Sequence, residues 1–154
     1  MQEDKKAERY ERLEKQISDL LKKSKDTTAH MATVAAVLAH KMEYFFWCGF
    51  YRVEPENLVV GPYQGPIACQ LLPKDKGVCW TAVNRNETII VRNVEEFPGH
   101  IACDSRSKSE IVVPIRNDAG KVVAVLDIDS KELSSFDEID ANYLEKIVKY
   151  IRID

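Results

Sequence analysis

The chain has 154 residues, and 45% of them are hydrophobic, which is enough apolar material for the core of one ordinary domain without disulfide staples. Its 22 basic and 25 acidic residues give a formal net charge of -3, which argues against nucleic acid or an anionic membrane as a partner. No apolar run reaches the roughly 18 residues of a membrane span, and the charged start does not resemble a secretory signal. We therefore expect a single domain over 1–154, located in the reducing cytoplasm.

The segment 1–43 has a helical pattern. A first amphipathic helix is predicted from an apolar stripe with steps of three or four residues, made of Tyr10, Leu13, Ile17 and Leu20. After a polar break at 24–26, Thr27 or Thr28 is expected to cap a second helix that ends near Glu43. The apolar residues of this second helix are Met31, Val34, Val37 and Leu38.

The segment 44–154 is predicted to hold the sheet. Aromatic and β-branched runs indicate strands at 45–53, 58–63, 88–91, 110–115 and 122–129. The turn residues at 117–120 predict that the last two strands form an antiparallel hairpin. A short helix is expected at 77–85, followed by a long functional loop at 93–109.

The chain is expected to close with a helix. Ser135 and Glu138 match a capping box, and the apolar residues that follow on one helical face are Ile139, Tyr143, Ile147 and Ile151. Helices, then a mostly antiparallel sheet with inserted short helices, then a terminal helix indicate an α+β fold with helices packed on a sheet.

Two carboxylates share one face of the last predicted strand, because its period of two aligns Val123, Val125, Asp127 and Asp129. Glu110 begins the neighbouring strand and can join them. Three acids in one place need a cationic or hydrogen-bonding partner, and they suit a small ammonium ligand or a divalent metal. The alternative is that both aspartates lie at an exposed strand end and face water or a lysine.

A five-residue phrase, Gly-x-Ile-Ala-Cys, occurs twice and ends at Cys69 and at Cys103, with Cys79 between them. Cysteines in glycine-rich, loop-like surroundings are typical of thiols kept for reactivity. Zinc bound by these three thiols and His100 is the competing interpretation, but no C-x-x-C pair is present, so we expect no metal. Cys48 lies in an aromatic strand and is interpreted as a core residue without a chemical role.

Two aromatic residues fall on one face of the first predicted strand. Trp47 and Tyr51 are four residues apart, and Gly49 between them leaves a notch, so an aromatic-walled groove is possible. Such pairs are more often part of a core, since strands are enriched in aromatic residues. The aromatic, acidic and thiol groups matter together only if the fold brings them to one place.

Six ordered blocks, from about residue 44 to the end, resemble the free methionine-(R)-sulfoxide reductases of the GAF-domain type. The blocks are Trp47-Cys48-Gly49-Phe50-Tyr51, 61–69, Gly77-Val78-Cys79, 99–104, 109–114 and 126–130. The resemblance implies a central antiparallel sheet flanked by helices. It also implies reduction of free L-methionine-(R)-sulfoxide to L-methionine, with no organic cofactor.

The resemblance also implies how the thiols act. Cys103 is the nucleophile that attacks the sulfoxide sulfur, releasing methionine and leaving a sulfenic acid. Cys79 is the expected thiol that condenses with it to a disulfide, and Cys69 can form an alternative or subsequent bridge. An external dithiol, thioredoxin, then reduces the enzyme by thiol-disulfide exchange.

The remaining site residues follow from the same resemblance. Glu110, Asp127 and Asp129 bind and polarise the substrate, and Glu110, held partly neutral by its neighbours, is also the expected general acid. Trp47 and Tyr51 wall the methyl-sulfur end. The resemblance further implies a homodimer paired through helices. The rival interpretation is a GAF module that binds a small molecule as a sensor and catalyses nothing.

Overall fold

The computed structural model describes residues 2–153. Its helices and strands, in chain order, are α1 (Glu3–Leu21), α2 (Thr27–Lys41), β1 (Trp47–Val53), β2 (Asn57–Gln64), β3 (Leu71–Pro73), α3 (Gly77–Arg85), β4 (Ile89–Val91), a 3-10 turn (Val94–Glu96), β5 (Ser109–Arg116), β6 (Val122–Ser130) and α4 (Glu138–Val148). The predicted α+β class is confirmed. Among residues 2–153, no helix has both the length and the apolar character needed to cross a membrane.

The strands form one six-stranded antiparallel sheet in the order β3-β2-β1-β6-β5-β4. The predicted hairpin of β5 and β6 is confirmed, with Ser109 opposite Ser130 at its open end. Strand β3 was not predicted, because its three residues are too few to show a period of two. It pairs with β2, where Leu72 lies opposite Leu58, and the Trp80 indole N–H donates to the Leu72 carbonyl at 2.9 Å.

The sheet separates two apolar layers. One face packs against α1, α2 and α4, and its sheet residues include Cys48, Phe50 and Ile128. The other face packs against α3 and carries Trp47 and Tyr51. Because side chains alternate along each strand, Cys48 lies on the face covered by α1, α2 and α4, as predicted for a core residue. Its neighbour Trp47 lies on the opposite face.

Two helix starts differ from the predictions. The N-cap of α2 is Asp26, whose side chain accepts hydrogen bonds from the backbone N–H groups of Thr28 and Ala29 at 2.8 and 3.3 Å. The capping box of α4 is formed by Asp137 and Asp140, not by Ser135 and Glu138. In both cases an aspartate one or two residues from the predicted hydroxyl residue caps the helix, because a carboxylate accepts backbone N–H bonds with its full charge.

A buried polar network joins the N-terminal helix to the C-terminal one. The Asp140 carboxylate is fully buried and accepts hydrogen bonds from Lys6 Nζ at 2.7 Å and from the hydroxyls of Tyr10 and Tyr44, both at 2.6 Å. Lys6 is itself 5% exposed. Because every charge in the network has a partner, it fixes how α1 lies on α4.

The apolar stripe of α1 is covered within the chain. Its buried residues pack into the layer that also contains α2 and α4, with Leu21 buried rather than the predicted Leu20. The stripe is thus accounted for without a second subunit, and the homodimer stays a prediction.

Candidate active site

Pairing of three strands gathers the predicted acids on the α3 face of the sheet. Glu110 of β5 lies directly opposite Asp129 of β6, and Asp127 is the next residue of β6 on the same face. On the other side of β6, Trp47 lies opposite Asp129 and Gly49 opposite Asp127. The three carboxylates therefore lie beside the aromatic face of β1, where directly paired residues have neighbouring side chains.

Seven of the eight residues predicted for the site line one cavity between the sheet, α3 and the 93–109 loop. These are Trp47, Tyr51, Cys79, Cys103, Glu110, Asp127 and Asp129. The eighth, Cys69, is joined to the lining residue Cys103 by a disulfide bond. The fold thus brings together residues that are up to 82 positions apart, from Trp47 to Asp129.

The disulfide joins the two copies of the repeated pentapeptide. Cys69 and Cys103 are bonded across a Cα–Cα distance of 5.5 Å, although Cys79 was the expected first partner of Cys103. Cys79 is a free buried thiol, and Cys103 lies in an exposed stretch of its loop. The reason for the difference is burial, because Cys79 is fixed in the first turn of α3 while both bonded cysteines lie on loops.

Aromatic side chains hold the loop that carries Cys69. The Trp47 indole N–H donates to the carbonyl of Pro66 at 3.1 Å, and the Tyr51 hydroxyl donates to the carbonyl of Cys69 at 2.9 Å. Trp47 also stacks on Tyr51 and Tyr63, with ring centroids 5.9 and 5.2 Å away. The two predicted wall residues therefore support the disulfide as well as line the cavity.

Gly49 is the notch expected from the sequence, and the Trp47 ring occupies it. A Cβ at position 49 would lie 2.2 Å from Tyr63 Cβ and 2.7 Å from Trp47 Cη2. Only glycine permits this close approach of β1 to β2 and of the indole to its own strand.

Burial changes the acidity of the three carboxyl groups. The pKa of Glu110 is raised well above its usual value, first by burial and then by the negative charges of Asp127 and Asp129. Glu110 hydrogen-bonds to Asp127, whose own pKa is raised less strongly because it accepts from Glu110 and from the Cys79 thiol. We assign the proton of this pair to Glu110, which leaves Asp127 as the acceptor.

Asp127 has one oxygen ready for a ligand. Its carboxylate is 6% exposed, and Oδ1 has no hydrogen-bond partner among the described residues. A buried, unpaired carboxylate oxygen is costly unless something binds it. Asp129, at the cavity mouth, is half-buried, and burial followed by the charges of Asp127 and Asp104 raises its pKa.

Cys79 is held in a form unsuited to nucleophilic attack. Burial raises its pKa well above the usual value, and the charges of Asp127 and Glu110 raise it further. The thiol keeps its proton and donates a hydrogen bond to Asp127. Since the thiolate is the nucleophile, this environment favours a hydrogen-bonding role over rapid disulfide exchange.

Sequence reasoning missed part of the cavity wall. His100, considered only as a zinc ligand, places Nδ1 3.9 Å from Glu110 Oε1, and burial lowers its pKa. Phe46 also lines the cavity, and the Arg106 guanidinium lies 4.9 Å from its ring. The sequence signals that could have identified Phe46 and His100 as wall residues were the aromatic run before Trp47 and the repeated phrase that begins Gly99-His100. The zinc set of three thiols and His100 is overturned, since two of those thiols form the disulfide.

The sequence matches the GAF domain family over residues 24–153. It is 39% identical over 145 residues to a free methionine-R-sulfoxide reductase of Escherichia coli (strain K12), which covers 93% of this chain and 86% of that relative. The chain belongs to the free methionine-R-sulfoxide reductase family.

Two further comparisons give the extent of the similarity. A solved free methionine-R-sulfoxide reductase from Neisseria meningitidis, in complex with its substrate, superimposes with a TM-score of 0.91 at 42% identity, covering 96% of this chain and 88% of that one. GAF domain-containing protein A of Dictyostelium discoideum is 51% identical over 95% of this chain and 92% of its own length. The GAF fold and the reductase family expected from the six sequence blocks are thus confirmed.

Proposed function

We propose that this protein reduces free L-methionine-(R)-sulfoxide to L-methionine and uses its own thiols as the reductant. The observation that carries the proposal is the position of the disulfide. Cys103, bonded to Cys69, lines the same cavity as three carboxyl groups and an aromatic wall. Family membership gives the substrate class, and the cavity gives each part of the substrate a matching surface.

The carboxylates favour a free amino acid over a methionine within a protein. A free amino acid carries an α-ammonium group, which a residue inside a peptide lacks. Asp127 and Asp129 provide the negative charge for that group, and the unpaired Oδ1 of Asp127 is an acceptor for one of its N–H bonds. Trp47 and Tyr51 offer an apolar surface to the methyl-sulfur end.

Glu110 is the proton donor for the sulfoxide oxygen. The sulfoxide sulfur becomes electrophilic when its oxygen is protonated or hydrogen-bonded, so the donor has to be a neutral acid at working pH. The raised pKa of Glu110 favours its protonated form beside Asp127. Asp127 then stabilises the position of the acid by accepting its hydrogen bond.

The sulfur steps balance as follows. The Cys103 thiolate attacks the sulfoxide sulfur, the oxygen is protonated and transferred to Cys103, and methionine leaves while Cys103 becomes a sulfenic acid. The Cys69 thiol attacks this sulfenic acid, which forms the disulfide and releases water. A dithiol donor of the thioredoxin class then reduces the disulfide, so that one dithiol is oxidised for each sulfoxide reduced.

We assign the resolving step to Cys69 rather than to Cys79. The bond to Cys103 in the structure supports Cys69, and the protonated, buried thiol of Cys79 disfavours the alternative. The homodimer and the cytoplasmic location remain part of the proposal, since a reducing compartment is where a dithiol donor can restore the thiols.

The test is thioredoxin-coupled NADPH oxidation with separate R and S epimers of free methionine sulfoxide. We expect turnover of the R epimer alone and its loss in Cys103→Ser. N-acetyl-methionine sulfoxide, which lacks the ammonium, is the matched substrate control and should react poorly. Absence of turnover, or turnover that survives Cys103→Ser, would refute the proposal and favour the sensor module, whose ligand binding should not depend on the thiols.

A further inference from the structure

A thiol and two carboxyl groups meet at the inner end of the cavity. Single ligand atoms of Cys79, Glu110 and Asp127 all lie within 4.8 Å of one another, and all three residues are buried. The Cys79 sulfur comes from α3, whereas the two carboxyl groups come from β5 and β6. The cluster is therefore fixed by a helix and two central strands rather than by a mobile loop.

Two independent observations indicate that this cluster is suited to a cation. The Oδ1 atom of Asp127 is buried without a partner, and it belongs to a residue that lines the cavity. No lysine or arginine in the described part of the chain forms an ion pair with Glu110, Asp127 or Asp129. The basic side chain that approaches Glu110 is His100, whose neutral form is a metal ligand.

The distances suit a tetrahedral metal ion after small adjustments. Zinc binds sulfur at about 2.3 Å and nitrogen or oxygen at about 2.0–2.2 Å, which places neighbouring ligand atoms roughly 3.4–3.6 Å apart. The three ligand atoms lie within 4.8 Å, and His100 Nδ1 lies 3.9 Å from Glu110 Oε1. Small side-chain movements bring the Cys79, Glu110 and Asp127 atoms to one ion, whereas His100, which lies outside this three-residue group, has to move further to complete the set.

We propose that Cys79, Glu110 and Asp127, with His100 as a fourth ligand, bind a divalent metal ion of borderline softness such as Zn²⁺ or Co²⁺. A thiolate and an imidazole select these ions over Mg²⁺ or Ca²⁺, which prefer oxygen alone. On binding, Cys79 and Glu110 release their protons and the unpaired Asp127 oxygen gains a partner. This ligand set excludes Cys69 and Cys103, so it is available when those residues are joined in the disulfide.

Metal binding at this position blocks the reaction that we propose for the cavity. The ion occupies the carboxyl groups needed for the ammonium and for proton donation, so it competes with the substrate. The metal site itself does not depend on the proposed function, but the inhibition does. The two parts are therefore tested by separate measurements.

The binding test uses full-length protein with the Cys69–Cys103 disulfide intact, titrated with Co²⁺ and followed by absorption. Cys79 is then the remaining thiol in the cavity, and the other free thiol, Cys48, lies on the opposite face of the sheet. We expect a thiolate-to-cobalt charge-transfer band and visible bands of tetrahedral intensity that saturate at one equivalent. Zn²⁺ should remove both.

Three variants decide the result. Cys79→Ser should abolish the charge-transfer band, while the matched control Cys48→Ser should retain it. Asp127→Asn keeps the size of the side chain and should weaken Co²⁺ binding at least about tenfold. If the wild-type protein gives no thiolate-cobalt band, or if the band persists in Cys79→Ser, the metal site is refuted. Circular dichroism identifies any variant that fails to fold. If Cys79→Ser fails to fold, the titrations of the wild type and of Asp127→Asn decide whether the metal site exists.

The inhibition test measures turnover of free methionine-(R)-sulfoxide in the presence of Zn²⁺. Zinc should raise the apparent KM without changing kcat, and excess chelator should restore activity. If cobalt binds as described but zinc leaves KM unchanged, the metal site stands and its role as an inhibitor is refuted.

Discussion

Glu110→Gln is the substitution that tests the proposed proton donor most directly. Glutamine keeps the shape of the side chain and can still donate an N–H hydrogen bond to Asp127, but it cannot release a proton to the sulfoxide oxygen. General acid catalysis is typically worth about 10²–10⁴ in rate, or about 3–5 kcal/mol of barrier, so kcat should fall by that factor. Coupled NADPH oxidation at saturating substrate measures the loss.

The pH profile separates lost chemistry from lost structure. Because the pKa of Glu110 is raised, its protonated form persists to higher pH than in an ordinary glutamate, and wild-type kcat should fall as pH rises through the pKa of the Glu110–Asp127 pair. The variant should lose this decline of kcat at high pH. A kcat within about threefold of wild type, with this decline unchanged, would refute the assignment of Glu110 as the acid.

Asp129→Asn is the matched control for this experiment. Asp129 lies opposite Glu110 in the sheet, is also acidic and lines the same cavity, but we assign it to substrate binding. We expect a higher KM with the fall of kcat at high pH retained. If both variants lose the fall of kcat at high pH equally, the carboxyl groups act together and Glu110 is not the distinct acid.

The remaining predictions concern the protonation, pairing and packing described above. The folded-state pKa of Glu110 is raised above its usual 4.5. The contribution of this group to the unfolding free energy is therefore complete below pH 4.5 and is lost as pH rises toward the folded-state pKa. In urea titrations, the unfolding free energy of Glu110→Gln should accordingly decline less with rising pH than that of the wild type. Cys69→Ser should prevent the disulfide to Cys103 and stop thioredoxin-dependent turnover, whereas Cys79→Ser should retain the disulfide; mass spectrometry of non-reduced peptides checks both. Lys6→Met should lower the unfolding free energy by about 3–5 kcal/mol, because the buried Asp140 carboxylate loses its cation, and a loss below about 1 kcal/mol in urea titration would contradict the network.

Much of the site could be predicted because it depends on strand alternation. The period of two in β6 placed Asp127 and Asp129 on one face, and the turn at 117–120 fixed β5 as the neighbour, which brings Glu110 beside them. The boundaries of α3 were also predicted, since Gly77 and Arg85 bound a continuous helical segment. Local pattern was sufficient wherever the partner was the adjacent strand.

The parts that could not be predicted depend on groups distant in sequence. Lys6 looks like an ordinary surface lysine until α4, more than 130 residues later, places Asp140 beside it. The pairing of Cys69 with Cys103 depends on the positions of two loops, which spacing does not determine. Capping by Asp26 was missed for a different reason, since the adjacent threonines are also good caps and sequence alone does not rank such neighbours.

The two hydrogen bonds from Trp47 and Tyr51 to the carbonyls of Pro66 and Cys69 have a kinetic consequence. They do not involve sulfur, so we expect them to persist when the disulfide is reduced and to hold the freed Cys69 near its partner. The two thiols then meet at an effective concentration far above that of any thiol dissolved in the cell. In the reaction that we propose, Cys69 is therefore expected to react with a newly oxidised Cys103 before outside thiols or further oxidant do.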